Sequence, residues 1–156
     1  MFLGHQSQAS SVLASAFGYD PLDATAALHA ALLSPADTVF VDLQSEPWRV
    51  GPGQFVNLSN KTILFAPGVV VEALPGQFNG LYDCLLTFIR CNQIELLGYG
   101  TTLRMNRAEF AALGDSEYRH CLRIENCRKV TVKGFLLEES GGDGVYVGGA
   151  DWFGGA

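Results

Sequence analysis

Positive charge is what this chain has least of. Its 156 residues hold ten Lys and Arg against sixteen Asp and Glu, for a net charge of −6, and charged residues make up only 17% of the total. The basic residues form no run or stripe, so the electrostatic footprint needed to hold a phosphate backbone is absent and a nucleic-acid partner is excluded. An acidic surface equally disfavours anionic membranes, and no apolar stretch is long enough to span a bilayer, so no membrane partner is expected.

The opening Met1-Phe2-Leu3-Gly4-His5-Gln6-Ser7-Gln8 lacks the basic start and apolar centre of a secretory signal, despite the small residues Ala14-Ser15-Ala16. The location is extracellular or periplasmic if such a signal has been removed. There is no CxxC pair among the four cysteines (Cys84, Cys91, Cys121 and Cys127) and no histidine at zinc-site distance from them. No metal site is therefore expected. The cysteines read either as small buried thiols or, where Cys91 stacks on Cys127, as a bridged pair.

What the chain does have is glycine, eighteen of them, an apolar fraction of 48%, and self-similarity. Asn60-Lys61-Thr62-Ile63-Leu64-Phe65-Ala66-Pro67-Gly68 aligns with the run from Asn92 to Gly100, at a spacing of about 32 residues. That run, taken from Cys91, aligns with Cys127-Arg128-Lys129-Val130-Thr131-Val132-Lys133-Gly134-Phe135, at about 36. Each copy is a strand-length alternation closed by a turn. A unit this short cannot bury its own apolar face and must stack on its neighbours. The alignment places Thr62, Ile94 and Val130 at equivalent inward positions, and likewise Leu64, Leu96 and Val132.

Ahead of the strands, residues 1–19 form an N-terminal arm with a strand near Val12-Leu13. Residues 20–35 carry a helix with Asp20 as N-cap and Pro21 in the first turn. Ala24, Ala27, Leu28, Ala31 and Leu32 make its apolar stripe. The fold expected is all-β: a right-handed parallel β-helix, or solenoid, over 36–156, its N-terminal end covered by the capping helix. Residues 106–119 read as an insertion, and the solenoid as truncated at its C-terminus. An open last coil exposes backbone groups through which the chain is expected to self-associate.

These residues resemble the right-handed parallel β-helix proteins of the pectin-lyase-like superfamily. Asp23-Ala24-Thr25-Ala26-Ala27-Leu28-His29-Ala30-Ala31-Leu32 is similar to their capping helix, 60–71 to a first full coil, and Ser140-Gly141-Gly142-Asp143-Gly144-Val145-Tyr146-Val147 to a repeated coil turn. The resemblance covers about residues 17–149. It implies a polysaccharide partner lying along one outer face and a hydrolase or lyase activity, with calcium as a cofactor only if the chemistry is lyase-like. Gly142-Asp143-Gly144 matches the first of the hydrolase motifs, with glycines in place of Asn and Thr; the later motifs have no counterpart.

The catalytic candidates that follow are Asp143, as one member of an acid/base pair, and His120 with Arg119, as the basic group of a lyase. Each has a plainer reading: Asp143 as a turn residue bonded to its own backbone, His120 as a structural side chain. Arg123, Lys133, Glu138, Tyr146 and Trp152 are the substrate-binding candidates, since aromatic rings pack on pyranose faces and charged groups bond hydroxyls. The expected function is the N-terminal part of a carbohydrate-active protein, inactive alone. The alternative is a non-catalytic structural, adhesive or assembly module of tailspike type.

Overall fold

The computed structural model describes residues 9–149. Its strands are β1 (Ser11–Leu13), β2 (Thr38–Val41), β3 (Trp48–Val50), β4 (Gly53–Val56), β5 (Ser59–Phe65), β6 (Val70–Ala73), β7 (Leu86–Ile89), β8 (Asn92–Arg104), β9 (Leu122–Glu125), β10 (Arg128–Glu138) and β11 (Val145–Gly148). Two α-helices accompany them, α1 (Thr25–Leu33) and α2 (Arg107–Leu113). Every strand pairing is parallel. One sheet has seven strands, with β8 long enough to pair β5 through its first half and β6 through its second. The other has four, in the order β11-β9-β7-β4.

This architecture corrects the all-β solenoid expected from the repeats. The described chain is mixed α/β, two parallel sheets set as a half-barrel with helices packed on them, and not a right-handed β-helix of strands alone. The repeats are real as parallel neighbours, but pairing is all that local self-similarity encodes. The core is shared with helices: α1 buries Ala27, Leu28, Ala31 and Leu32 completely, and α2 buries Phe110 against Phe78.

The alignment also slipped by one residue in its first copy. The partner of Leu96 is Ile63, not Leu64, and the partner of Ile94 is Lys61, not Thr62. Because successive strand residues face opposite sides, the slip moves Thr62 and Leu64 to the outer face. The second and third copies are in the expected register, Val130 on Ile94 and Val132 on Leu96. Lys61 tolerates an inward position because its Nζ donates to the carbonyls of Ser34 and Ala36, both at 2.7 Å, just beyond the end of α1. The ammonium satisfies those two carbonyls while they satisfy it.

Helix α1 starts later than Asp20 and Pro21 suggest. Asp20 Oδ1 accepts the N–H of Leu22 and Asp23 Oδ1 that of Thr25, so the two aspartates form successive turns and the helix opens only at Thr25. Strand corners repeat at 57–60, 90–93 and 126–129. Asn57, Arg90 and Asn126, and again Asn60, Gln93 and Lys129, take left-handed backbone with φ between 52° and 59°. Between each pair of corner residues an apolar side chain (Leu58, Cys91 or Cys127) turns toward the core.

Candidate functional site

Strand alternation on the four-stranded sheet sends one residue of each strand outward in a single row: Gln54, Thr87, Arg123 and Tyr146. Two loop tyrosines converge on that row. The Arg123 guanidinium lies over the Tyr82 ring at 5.1 Å and over the Tyr146 ring at 5.6 Å. Tyr82 meets Tyr118 edge to face at 5.4 Å. Glu125, two residues along β9, holds Arg123 through Nε at 3.0 Å and through Nη2. A charge-assisted pair of this kind fixes the guanidinium plane. Tyr82 and Tyr118 remain exposed. The result is a ledge of three tyrosines around one oriented arginine.

His120 lies at the edge of the ledge, stacked on Tyr146 with ring centroids 5.0 Å apart and planes 10° from parallel. Its side chain is only 5% exposed. The backbone N–H of Asp143 donates to its Nδ1 at 2.9 Å, so that nitrogen is an acceptor and the proton of the neutral ring sits on Nε2. Burial lowers the pKa of His120, while the nearby Asp143 opposes the shift and Arg123 adds to it. The imidazole is therefore a neutral Nε2–H donor near pH 7.

Asp143 stands exposed at the tip of the turn that bears this N–H. The turn is pressed against residues 116–117. A Cβ on Gly142 would lie 1.8 Å from the Glu117 carbonyl oxygen, which explains why glycine stands where the resembled motif has a larger residue.

The remaining candidates are dispersed. Arg119 faces inward, 3% exposed, with Nε on the Phe78 carbonyl at 3.1 Å and Nη1 and Nη2 on those of Gly114, Asp115 and Asn79. It ties two loops together through backbone carbonyls and stands apart from the ledge. Glu138 and Lys133 belong to β10 on the other sheet. Glu138 is held there by Arg104 Nε at 2.9 Å. Trp152 lies outside the described residues. Tyr82 was missed because its surroundings, Gly80-Leu81-Tyr82-Asp83, carry no pattern that separates a ledge residue from any exposed loop tyrosine.

Among the described residues no group of three or more His, Cys, Asp or Glu side chains could hold a metal ion. No described helix is long and apolar enough to cross a membrane. A groove of about 360 Å³ lies elsewhere, over the outer face of the seven-stranded sheet between Asn60, Gln93 and Lys129, and no aromatic side chain lines it. No family model, curated protein or solved structure matches the chain. A carbohydrate reading therefore rests on the chemistry of the ledge and not on kinship.

Proposed function

We propose that the chain is a non-catalytic glycan-binding unit whose ligand lies on the Tyr82–Arg123–Tyr146 ledge. The observation that carries it is the arginine held between two tyrosine rings on the outer face of the four-stranded sheet, beside the exposed rings of Tyr82 and Tyr118. Aromatic faces offer rigid apolar area at low entropic cost, suited to the C–H faces of a pyranose. Around them stand donors and acceptors for hydroxyls: the free N–H groups of Arg123, the His120 Nε2–H and the Asp143 carboxylate. With Glu125 cancelling Arg123 and Asp143 adding negative charge, a neutral glycan is favoured over a polyuronate.

Binding is favoured over cleavage because glycoside hydrolysis uses two free carboxylates at a set separation, with a raised pKa on the acid. Glu125 is committed to Arg123, and Glu138 to Arg104 on the other sheet. Affinity electrophoresis through neutral polysaccharides, with released reducing ends assayed in parallel, tests this. Retardation abolished by Tyr146→Ala and by Tyr82→Ala, without reducing ends, is expected. Retardation unchanged in both variants, or release of sugar, overturns the reading.

A second reading is favoured by a different observation. Among the described residues β10 pairs only β8 and β11 only β9, and Val147 on β11 is 72% exposed while its register partner Ile124 is buried. Such an edge is a template for another strand, as an assembly module requires. Light scattering tests it: self-association lost on Val147→Lys supports the reading, and a monomer at all concentrations removes it.

A further inference from the structure

The four described cysteines are all free, but they are not equivalent. Cys91 and Cys127 occupy the same inner corner position on adjacent parallel strands, each one residue before the register partners Asn92 and Arg128. The Cys91 N–H donates to Cys127 Sγ at 3.3 Å, so the upper sulfur leans onto the lower residue. Each thiol points at an equivalent carbonyl, Cys91 at Phe55 and Cys127 at Phe88, which are themselves register partners. Neighbouring strands lie about 4.7–4.9 Å apart, inside the Cα separation of about 4.4–6.8 Å that a disulfide spans. The other two cysteines diverge: Cys84 is directed at the Tyr118 carbonyl and Cys121 at those of Leu103 and Glu138.

We propose that Cys91 and Cys127 are a thiol–disulfide modification site, oxidised by a low-molecular-weight disulfide, that staples edge strand β10 to β8. The order of attack follows from access. Cys127 is partly exposed and Cys91 is buried. Cys127 loses its proton to solvent and its thiolate attacks one sulfur of the reagent, breaking the reagent's S–S bond and expelling one thiolate. Cys91 then loses its proton and attacks Cys127 Sγ, forming the protein S–S bond and displacing the second thiol. Two electrons pass to the reagent, which leaves as two thiols. Burial, with Cys127 close by, pushes the Cys91 thiol above its ordinary pKa, so the second step is the slower.

The staple acts at an edge of the sheet. β10 has β8 as its only strand partner among the described residues, and the inward Val130 and Val132 are only partly buried while Ile94 and Leu96 beneath them are fully so. A bond at the corner preceding β10 constrains the start of that strand, which can open locally by losing its pairing to β8 alone.

The test is incubation of the folded, reduced chain with oxidised glutathione, followed by intact mass, peptide mapping and thermal melting. The expected product is lighter than the reduced chain by two hydrogens, linked Cys91 to Cys127, with Cys84 and Cys121 still alkylatable and a raised melting midpoint. Cys127→Ser remains folded and forms no internal bond. A persistent glutathione adduct on Cys127, a link involving Cys84 or Cys121, no reaction, or a midpoint that does not rise each overturns the proposal.

Discussion

Lys61 is buried beneath the end of α1, its Nζ held by the carbonyls of Ser34 and Ala36, and it stacks directly on Ile94 in the next strand. A lysine thus occupies a core position that pattern reading reserves for an apolar side chain. Burial lowers its pKa, with Asp37 opposing the shift. Its position decides which face every other residue of β5 presents.

The first prediction tests that register. Leu96 is fully buried between Ile63 and Val132, whereas Leu64 lies on the outer face in the row with Phe40, Leu97 and Lys133. Leu96→Ala is expected to cost about 2–5 kcal/mol, the range for a leucine removed from a packed core. Leu64→Ala should cost well under half as much. Denaturant titration of both variants checks this, and equal losses would show that β5 is in the other register.

How much of this was legible follows from the same strand. The second and third copies alternate cleanly, Ile94-Glu95-Leu96 and Val130-Thr131-Val132, so their register could be read from polarity alone. Ile63-Leu64-Phe65 is apolar on either face, and only the lysine's partners, distant in sequence, select one. The buried stripe of α1 was readable, but its start was not, because Asp20 and Asp23 are equally good caps and the chain uses both for turns. Arg119 and His120 were readable as special. Their roles depend on the Phe78 carbonyl, 41 residues from Arg119, and on the Asp143 N–H, 23 residues from His120, which no local spacing encodes. The ledge was half visible: Arg123 and Tyr146 are strand residues with a period, while Tyr82 comes from a loop with none.

The second prediction concerns acid. His29 Nε2 is buried without a hydrogen-bond partner, against the edge of Phe55, and burial lowers its pKa, opposed by Asp23. His120 is lowered in the same direction. With a depressed folded pKa, the unfolded chain takes up protons first as pH falls through about 6.5, so stability declines from there toward the lower folded values. His29→Leu should flatten that decline. It should also leave the chain at least as stable near pH 7, since it removes an unsatisfied polar atom that costs about 1–3 kcal/mol. Melting midpoints at pH 7 and pH 5 check both statements, and a variant as acid-sensitive as the parent would refute them.

The third prediction concerns a ladder of charges. Arg49, Glu72, Arg104 and Glu138 are register partners on successive strands, paired at 2.9, 3.4 and 2.9 Å. Arg104 sits between two carboxylates with its side chain 40% exposed, so solvent discounts each pair. Arg104→Leu is expected to cost about 0.5–1.5 kcal/mol in low salt, more than one isolated surface pair because two glutamates are left facing each other. The loss should shrink in 1 M salt, where the screening length is about 3 Å. Urea titrations at the two salt levels check it, and a salt-independent loss would mean that the arginine acts through packing.

The last prediction separates the turn from the carboxylate it carries. Asp143→Asn keeps the backbone N–H that bonds His120 Nδ1 and removes only a charge, so His120 and the ledge stay in place. Its effect on neutral-glycan binding should be small, about threefold or less, the loss of one exposed hydrogen-bonding charge. Gly142→Ala keeps the charge but drives a methyl into the Glu117 carbonyl, so the turn must move and withdraw its N–H from His120. Freed from that bond, the imidazole no longer holds a single tautomer or a fixed stack on Tyr146, and the ledge loses the ring it depends on. Gly142→Ala should therefore weaken binding at least tenfold and shift the His120 ring signals in an NMR spectrum. If Asp143→Asn is the more damaging of the two, the carboxylate acts on the ligand directly and the tyrosine ledge is not the principal binding surface.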